Sequence, residues 1–203
     1  MPAEALLSTL RHVWRTLQPL NLPMAVMGGL ALATWKHVRA TRDIDLLLGI
    51  GETELNLLLQ TLAAADIRPK REPPVITLGN LRVIQLLYEP PDTFMPLQVD
   101  LLLATSAYHR AALARRISTP LADLDLEITV LTCEDLLLHK LLAGRMIDRA
   151  DAAALLRANR NSLDLNYLAH WIGTLELTPA LTEVWKEAFP AESLPQSAHQ
   201  TSR

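Results

Sequence analysis

Three aspartates and a pair of glycines are the residues in this chain whose types and spacing could do chemistry. Asp43 and Asp45 stand two residues apart in the segment DIDLLL. In a strand, residues i and i+2 face the same side, so these two carboxylates would share one small space. Such close like charges are unfavourable unless a cation or a proton lies between them, and Mg²⁺ prefers oxygen ligands. The pair therefore predicts a magnesium site for a phosphate-bearing ligand.

Asp100 is a third acid, in the aliphatic segment LQVDLLL. A lone carboxylate facing an apolar interior is strongly unfavourable, so Asp100 needs a partner. If its strand lies beside that of Asp43, the three carboxylates form a site for two metal ions. Such two-metal sites serve in-line displacement at phosphorus.

Gly28 and Gly29 follow a short apolar run and precede the helix-favouring segment LALATW. This order predicts a strand, a tight turn and the start of a helix. Because glycine has no side chain, a phosphate could approach the backbone N–H groups at the helix start.

The elements that must position these residues alternate between strands and helices in the first half of the chain. Strands are predicted near 24–27, 43–48, 75–78, 81–88, 97–103 and 126–130, and helices near 3–18, 52–65 and 108–116. Gly79-Asn80 lies between two of these strands and predicts a tight antiparallel hairpin.

The second half is predicted to be helical. Thr132 followed by Asp135 is typical of a capped helix start. Helices are predicted near 133–143, 148–158, 165–175 and 179–189. The pattern predicts an α+β fold, a mixed β-sheet flanked by helices with a helical C-terminal region. We expect an α/β core at 1–130, a helical region at 131–190 and a disordered tail at 191–203.

The composition excludes several functional classes. A net charge of −3 and a pI near 6.1 argue against a nucleic-acid binder with a wholly basic surface. The aromatic content of 4% argues against stacking platforms for single strands. Cys133, the one cysteine, cannot form an internal disulfide, and with six scattered histidines it makes no zinc site. These features favour a reducing, cytoplasmic location.

No membrane span is expected. The uncharged stretch from Thr16 to Trp35 is long enough to cross a bilayer, but Pro19, Pro23 and Gly28-Gly29 would break a helix there. The N-terminal sequence lacks a basic region followed by a long apolar core, so no signal peptide is expected.

The segment GGLALATWKHVRATRDIDLLL resembles the GG or GS, variable spacer, R-x-T-x-D-x-D signature of the polymerase-β-like minimal nucleotidyltransferases. The closest likeness is to the AbiEii-type group, which includes toxins of toxin–antitoxin pairs. That group also has a later strand acid, matched by Asp100, and a helical K-x4-K/R/N followed by an acid. Here the helical motif is matched by Lys140 and Arg145, followed by either Asp148 or Asp151.

The resemblance implies transfer of a nucleoside monophosphate from a nucleoside triphosphate to a hydroxyl acceptor, with release of pyrophosphate. It implies two Mg²⁺ ions on Asp43, Asp45 and Asp100, with Lys140 among the catalytic residues. The implied nucleotide contacts are Gly28, Gly29, Arg39, Thr41, Arg42, Arg145, Asp148 and Asp151. The acceptor could be tRNA, another RNA, a protein hydroxyl or a small molecule, and an antitoxin protein is a further possible partner.

Simpler interpretations of these residues stay open. Lys140 and Arg145 could form the solvated face of a helix, and Asp148 and Asp151 could merely favour its dipole. Residues Arg39 and Arg42 could be loop charges paired with nearby acids. The alternative for the whole chain is a non-catalytic nucleotide- or partner-binding module that kept the fold.

Overall fold

The computed structural model describes residues 2–79, 81–91, 93 and 95–194. They divide into two compact units. Unit 1 contains the residues up to Leu30 and the segment Ala40–Leu131, and unit 2 contains Ala31–Arg39 and the residues from Thr132 onward. Residues 31–39, assigned to the α/β core from sequence, therefore belong with the C-terminal helices.

Unit 1 is built on a mixed sheet. In the described part of the chain, the strands are β1 (Met24–Met27), β2 (Asp43–Leu48), β3 (Arg68–Pro69), β4 (Val75–Leu78), β5 (Leu81–Tyr88), β6 (Leu97–Leu103), β7 (Ile117–Leu121) and β8 (Leu126–Val130). The order across the sheet is β3-β5-β6-β2-β1-β8-β7, and β4 pairs with β5 as an antiparallel hairpin. The predicted α+β fold with a mixed sheet is confirmed.

The helices are α1 (Pro2–Leu17), α2 (Gly28–Ala31), α3 (Leu55–Ala64), α4 (Ala107–Arg115), α5 (Cys133–Ala143), α6 (Met146–Asn159), α7 (Leu165–Thr174) and α8 (Thr178–Ala188). In unit 1, α1 packs on α3 and on β2. The apolar residues of α1 recur at helical spacing, and Val13 and Leu17 are buried. Within the described ranges no helix combines the length and the apolar run needed to cross a membrane.

The central strands of the sheet are aliphatic because they are covered by other elements. Ile44 and Leu46 of β2 are fully buried, as are Val99 and Leu101 of β6. These residues alternate with Asp43, Asp45, Gln98 and Asp100, which lie on the opposite face of the sheet. One face of β2 and β6 is therefore apolar and the other carries the acids.

Unit 2 is organised around α5, which packs against α6 and α7. Its first turn is capped by the Thr132 hydroxyl, which accepts a hydrogen bond from the Asp135 backbone N–H at 3.3 Å. The helix ends at Gly144, whose φ of +64° is the left-handed conformation that favours glycine. The predicted helix start and end are both confirmed.

Some local predictions differ from the structure. Both β3 and β7 were missed, and both lie at the ends of the strand order. Pro69 and Pro120 obscure their signals, because proline cannot donate to a sheet ladder and is tolerated only at such edges. The helix after Gly28 is short and continues as a 3-10 turn to Trp35. Of the predicted hairpin loop and tail, Asn80 and residues 195–203 lie outside the described residues.

Removal of the α5 cap tests this account of unit 2. We expect Thr132→Ala to lower the free energy of unfolding by about 1–2 kcal/mol, because a backbone N–H of the first turn loses its acceptor. Thr174→Ala is the control, since its hydroxyl donates only to the His170 carbonyl within a helix. Urea denaturation measures both, and equal losses would contradict the capping role.

Candidate active site

The paired strands β2 and β6 bring the three predicted acids onto one face of the sheet. The strands run parallel, and Asp45 lies in register with Asp100 while Asp43 lies in register with Gln98. Residues in register on neighbouring strands project to the same side. The structure thus meets the condition that the sequence left open, namely that the strand of Asp100 lies beside that of Asp43.

Asp100 is held by two glutamines. The Gln98 side-chain amide donates to both carboxylate oxygens of Asp100, at 3.0 Å each. Gln85, opposite Asp100 on β5, also hydrogen-bonds to this carboxylate. Burial raises the pKa of Asp100, and the nearby Asp43 raises it further, although the two glutamines and Lys70 act in the opposite direction. A cation at this carboxylate would offset the cost of its burial.

Asp43 is oriented by its neighbour in the motif. The Thr41 hydroxyl donates to Asp43 Oδ1 at 2.7 Å. Thr41 in turn needs the glycine at position 29, because a Cβ there would lie 2.6 Å from Thr41 Oγ1. Gly29 therefore leaves room for Thr41, and Thr41 orients Asp43.

Gly28 makes room for the second acid. Its φ is +63°, and a Cβ at this position would lie 1.8 Å from Asp45 Oδ2. The positive φ falls on Gly28, and Gly29 is not among the glycines with positive φ. The turn therefore accommodates the side chains of the site itself, and the phosphate access predicted from sequence stays a prediction.

The three carboxylates are ligands of the type that suits a hard divalent cation, although the described side chains do not converge on one position. Asp43, Asp45 and Asp100 offer only carboxylate oxygens, which suit Mg²⁺. Among the residues that the structure describes, no three His, Cys, Asp or Glu side chains are grouped closely enough to be identified as a metal site. The hydrogen bonds from Thr41 and Gln98 orient carboxylate oxygens that each keep a further lone pair for a metal ion.

Unit 2 collects a second set of predicted residues into a buried ion-pair network. Lys140 Nζ lies 3.0 Å from Asp148 Oδ1 and 2.8 Å from Asp151 Oδ2. The side chain of Lys140 is 6% exposed and those of the two aspartates are 1% exposed. Lys140 is therefore not part of a solvated helix face, and both aspartates do more than favour a helix dipole.

Arginines complete this network at its edge. Arg39 binds Asp151 through Nε at 2.8 Å and through a terminal nitrogen at 2.9 Å, a bidentate pair. Arg145 Nε donates to Asp148 Oδ2 at 2.6 Å, although its side chain is 72% exposed. His37 Nε2 lies 3.2 Å from Asp151 Oδ1.

The network shifts the titration of its acids. Burial alone would raise the pKa of Asp148 and Asp151, but hydrogen bonds and charges from Lys140, Arg145 and Arg39 outweigh it, so both pKa values are lowered. Arg39 is thus paired with an acid, as one of the open interpretations held, whereas Arg42 is exposed beside Asp43. Both Lys140 and Arg39 bind carboxylates here, and the catalytic role predicted for Lys140 and the nucleotide contact predicted for Arg39 stay predictions.

Sequence reasoning missed the residues around Asp100. Gln98 could be identified from the sequence, because it precedes Asp100 by two residues in the same strand and must therefore lie on the same face. Gln85 and Lys70 could not, because they reach the site only through the pairing of β5 with β6 and with β3. Cys133 is buried, and burial raises the pKa of its thiol to about 12.

A protein-family model matches most of the chain. Residues 12–200 match the family described as nucleotidyl transferase AbiEii toxin, type IV TA system. None of the curated proteins compared with the chain matches it in sequence.

Several solved structures share the fold of this chain. An antigenic nucleotidyltransferase-like protein from Paracoccidioides brasiliensis is 18% identical, with a TM-score of 0.57 over 99% of both chains. The antibiotic-resistance factor ANT(2'')-Ia is 14% identical, with a TM-score of 0.53 over 90% of this chain and 97% of its own. JHP933 from Helicobacter pylori is 15% identical, with a TM-score of 0.50 over 96% and 86%. At these identities the likeness shows the fold alone.

The glycine turn can be tested with a matched pair of variants. Gly28 and Gly79 both have positive φ, but an added Cβ meets Asp45 at Gly28 and meets nothing within 4 Å at Gly79. We expect Gly79→Ala to lose about 1–2 kcal/mol of stability from backbone strain, and Gly28→Ala about 1–3 kcal/mol more. Urea denaturation and nucleotide titration check this, and equal behaviour of the two variants would contradict the packing role of Gly28.

The buried network predicts a pH-dependent response. Lys140→Met should cost about 3–5 kcal/mol near pH 7, because Asp148 and Asp151 lose the cation they share. In the native protein the lowered pKa values of these acids stabilise the fold above about pH 4, and this contribution is lost as pH falls through the folded pKa values. Without Lys140 the acids protonate more readily, so the difference from the native protein should shrink as pH falls toward 4. Lys186→Met, at an exposed position, is the control.

Proposed function

We propose that this chain, which belongs to the AbiEii nucleotidyltransferase family, catalyses a Mg²⁺-dependent reaction. In this reaction a nucleoside monophosphate is transferred from a nucleoside triphosphate to a hydroxyl acceptor. Nucleotidyl transfer itself follows from the family match over residues 12–200. The metal, the acceptor and the residue roles are the parts that we propose.

The observation that carries the proposal is the register of β2 and β6. It sets Asp45 opposite Asp100 and leaves Asp43 on the same face. Three carboxylates on one face of a sheet repel one another and, as hard oxygen donors, fit divalent cations. A sheet that needed only to fold would be more stable without them.

Asp43, Asp45 and Asp100 are the residues proposed to hold Mg²⁺, which when bound neutralises charge on the triphosphate and on the attacking oxygen. In the reaction, the acceptor hydroxyl oxygen forms a bond to the α-phosphorus. The bond from that phosphorus to the bridging oxygen breaks, and pyrophosphate leaves while the hydroxyl gives up its proton. Asp100 is proposed to lie beside that hydroxyl, where the metal ion that it would hold eases the loss of the proton.

The remaining residues of unit 1 act by positioning. Thr41 holds Asp43 through its hydroxyl, and Gly28 leaves the space that Asp45 occupies. Gly29 admits Thr41. The exposed Arg42, next to Asp43 in sequence, is proposed to contact a phosphate group. Preorganised donors and charges of this kind cost no reorganisation during the reaction.

The residues of unit 2 enter the proposal separately. Asp148 and Asp151 are proposed to hold Lys140 and Arg39 in fixed positions. The side chain of Arg145 binds Asp148 and is largely exposed, and it is proposed to contact a phosphate group. A phosphate contact by Lys140 would require its ion pairs to open.

For the acceptor we propose RNA, and for the cellular role a toxin with an antitoxin partner. The family description includes a toxin–antitoxin system. The exposed cations Lys36 and Arg42 support RNA contacts. They are few, because Arg39 and Lys140 are bound to acids in unit 2. A small-molecule acceptor would leave the reaction unchanged and alter only this part of the proposal.

Conservative variants of the metal-site acids test the reaction. We expect Asp43→Asn and Asp45→Asn to reduce pyrophosphate release by at least about a hundredfold, because each removes a charged oxygen donor from the site. The free energy of unfolding should stay level or rise, since carboxylate repulsion is relieved. Asp66→Asn, on an exposed side chain paired with Arg68, is the control. Near-native turnover of the Asp43 variant with Mg²⁺ would contradict the assignment.

Salt dependence tests the RNA acceptor. Labelled triphosphates are incubated with the protein and either total RNA or a panel of small hydroxyl compounds at several salt concentrations. We expect label in RNA, with log affinity falling by roughly 0.7 per neutralised phosphate for each tenfold rise in salt, and only one to three such contacts. Label that enters only small molecules or protein would refute the RNA acceptor and leave nucleotidyl transfer standing.

A further inference from the structure

Lys70 and Arg71 directly follow β3, which pairs with β5. Strand β5 in turn pairs with β6, the strand that carries Asp100. The Lys70 backbone N–H donates to the Gln85 carbonyl at 2.8 Å, which extends the pairing of β3 with β5 by one residue. Both side chains are exposed. Neither residue belongs to the sequence signature of the site, and nothing in their spacing relates them to Asp100.

Each cation is linked to Asp100 through one glutamine. Lys70 Nζ donates to Gln98 Oε1 at 3.0 Å, and the amide nitrogen of Gln98 donates to Asp100. Arg71 donates to Gln85 Oε1 at 2.7 Å, and Gln85 hydrogen-bonds to Asp100. Two parallel relays therefore run from a surface cation through an amide to the same carboxylate.

The relays fix which end of each amide faces the acid. A glutamine amide has an oxygen that only accepts and a nitrogen that only donates, and the two ends have nearly the same shape. A cation can bind only the oxygen end, so Lys70 and Arg71 turn the N–H groups of Gln98 and Gln85 toward Asp100. In the reversed orientation an amide oxygen would face the carboxylate and repel it.

We infer that Lys70 and Arg71 are positioning residues, which act through Gln98 and Gln85 to hold the Asp100 carboxylate in place for the divalent cation. This inference rests on the proposed function, because it assumes that Asp100 binds the metal. It assigns a role to two surface cations that would otherwise count as phosphate contacts or as solvated charges.

The sign of the effect on metal binding separates positioning from simple charge. Removal of a positive charge near a cation site should strengthen cation binding by Coulomb's law. Loss of positioning should weaken it. One hydrogen bond of this kind corresponds to about a two- to tenfold change in an equilibrium constant.

The first experiment measures Mn²⁺ binding to the protein by calorimetry, without substrate. We expect Lys70→Met and Arg71→Met each to weaken Mn²⁺ binding by about two- to tenfold, and Lys70→Arg to restore it because arginine still donates to the Gln98 oxygen. Arg68→Met is the matched control, since Arg68 lies in β3 but pairs with Asp66. It should leave Mn²⁺ affinity unchanged or slightly improved.

A double-mutant cycle tests whether Lys70 acts through Gln98. Gln98→Leu should weaken Mn²⁺ binding by itself, and Lys70→Met should then add nothing in that background. Additive effects, or tighter Mn²⁺ binding in Lys70→Met, would overturn the inference. So would a Lys70→Met protein that keeps its Mn²⁺ affinity but shows a higher KM for the triphosphate or the acceptor, since that result identifies a phosphate contact.

Asp100→Asn distinguishes the inference from the function on which it rests. If Asp100→Asn keeps native Mn²⁺ affinity and native transfer, the proposed metal site is wrong. If Asp100→Asn loses both while the Lys70 and Arg71 variants resemble Arg68→Met, the metal site stands and the positioning role is wrong.

Discussion

The pairing of β2 with β6 is the constraint on which the site depends. It places Asp45 opposite Asp100, so a fold with a buried aliphatic core carries adjacent carboxylates on the other face of its central strands. Carboxylates in such positions are unfavourable unless hydrogen bonds or cations compensate them. Thr41, Gln98 and Gln85 are the compensating donors within unit 1. The local structure around the acids follows from this requirement.

The glycine turn shows how the same constraint extends to the backbone. A strand that ends at Met27 must be followed by a residue that adopts positive φ and leaves space for the Asp45 carboxylate. Glycine alone meets both demands at low cost. Gly29 meets a different demand, since its missing side chain admits Thr41. Gly28 is therefore required for its backbone conformation and for its lack of a side chain. Gly29 is required only for its lack of a side chain.

Unit 2 compensates its buried charges by ion pairs. Lys140, Asp148 and Asp151 are almost fully buried, and they bind one another and the arginines at the edge. Buried ion pairs of this kind add little net stability but are costly to break, because the loss of one partner leaves an uncompensated buried charge. The segment before β2 takes part, because Arg39 binds Asp151. This explains why residues 31–39 belong to the helical unit although they precede Asp43 in the chain.

The sequence by itself determined the central strands, the C-terminal helices and the shared face of Asp43 and Asp45. Hydrophobic periodicity, helix caps and glycine turns are local signals, and a two-residue spacing within a strand has one geometric outcome. Only the tertiary structure decided that Asp100 lies opposite Asp45 and that Lys70 is linked to Asp100 through Gln98. It also decided that Lys140 is buried between two aspartates. Those relations depend on strand order and helix packing between residues far apart in the chain, and no local pattern of residue types specifies such pairings. The edge strands β3 and β7 were not predicted for a related reason. Each contains a proline, which weakens the local strand signal, and each forms by pairing with a neighbouring strand.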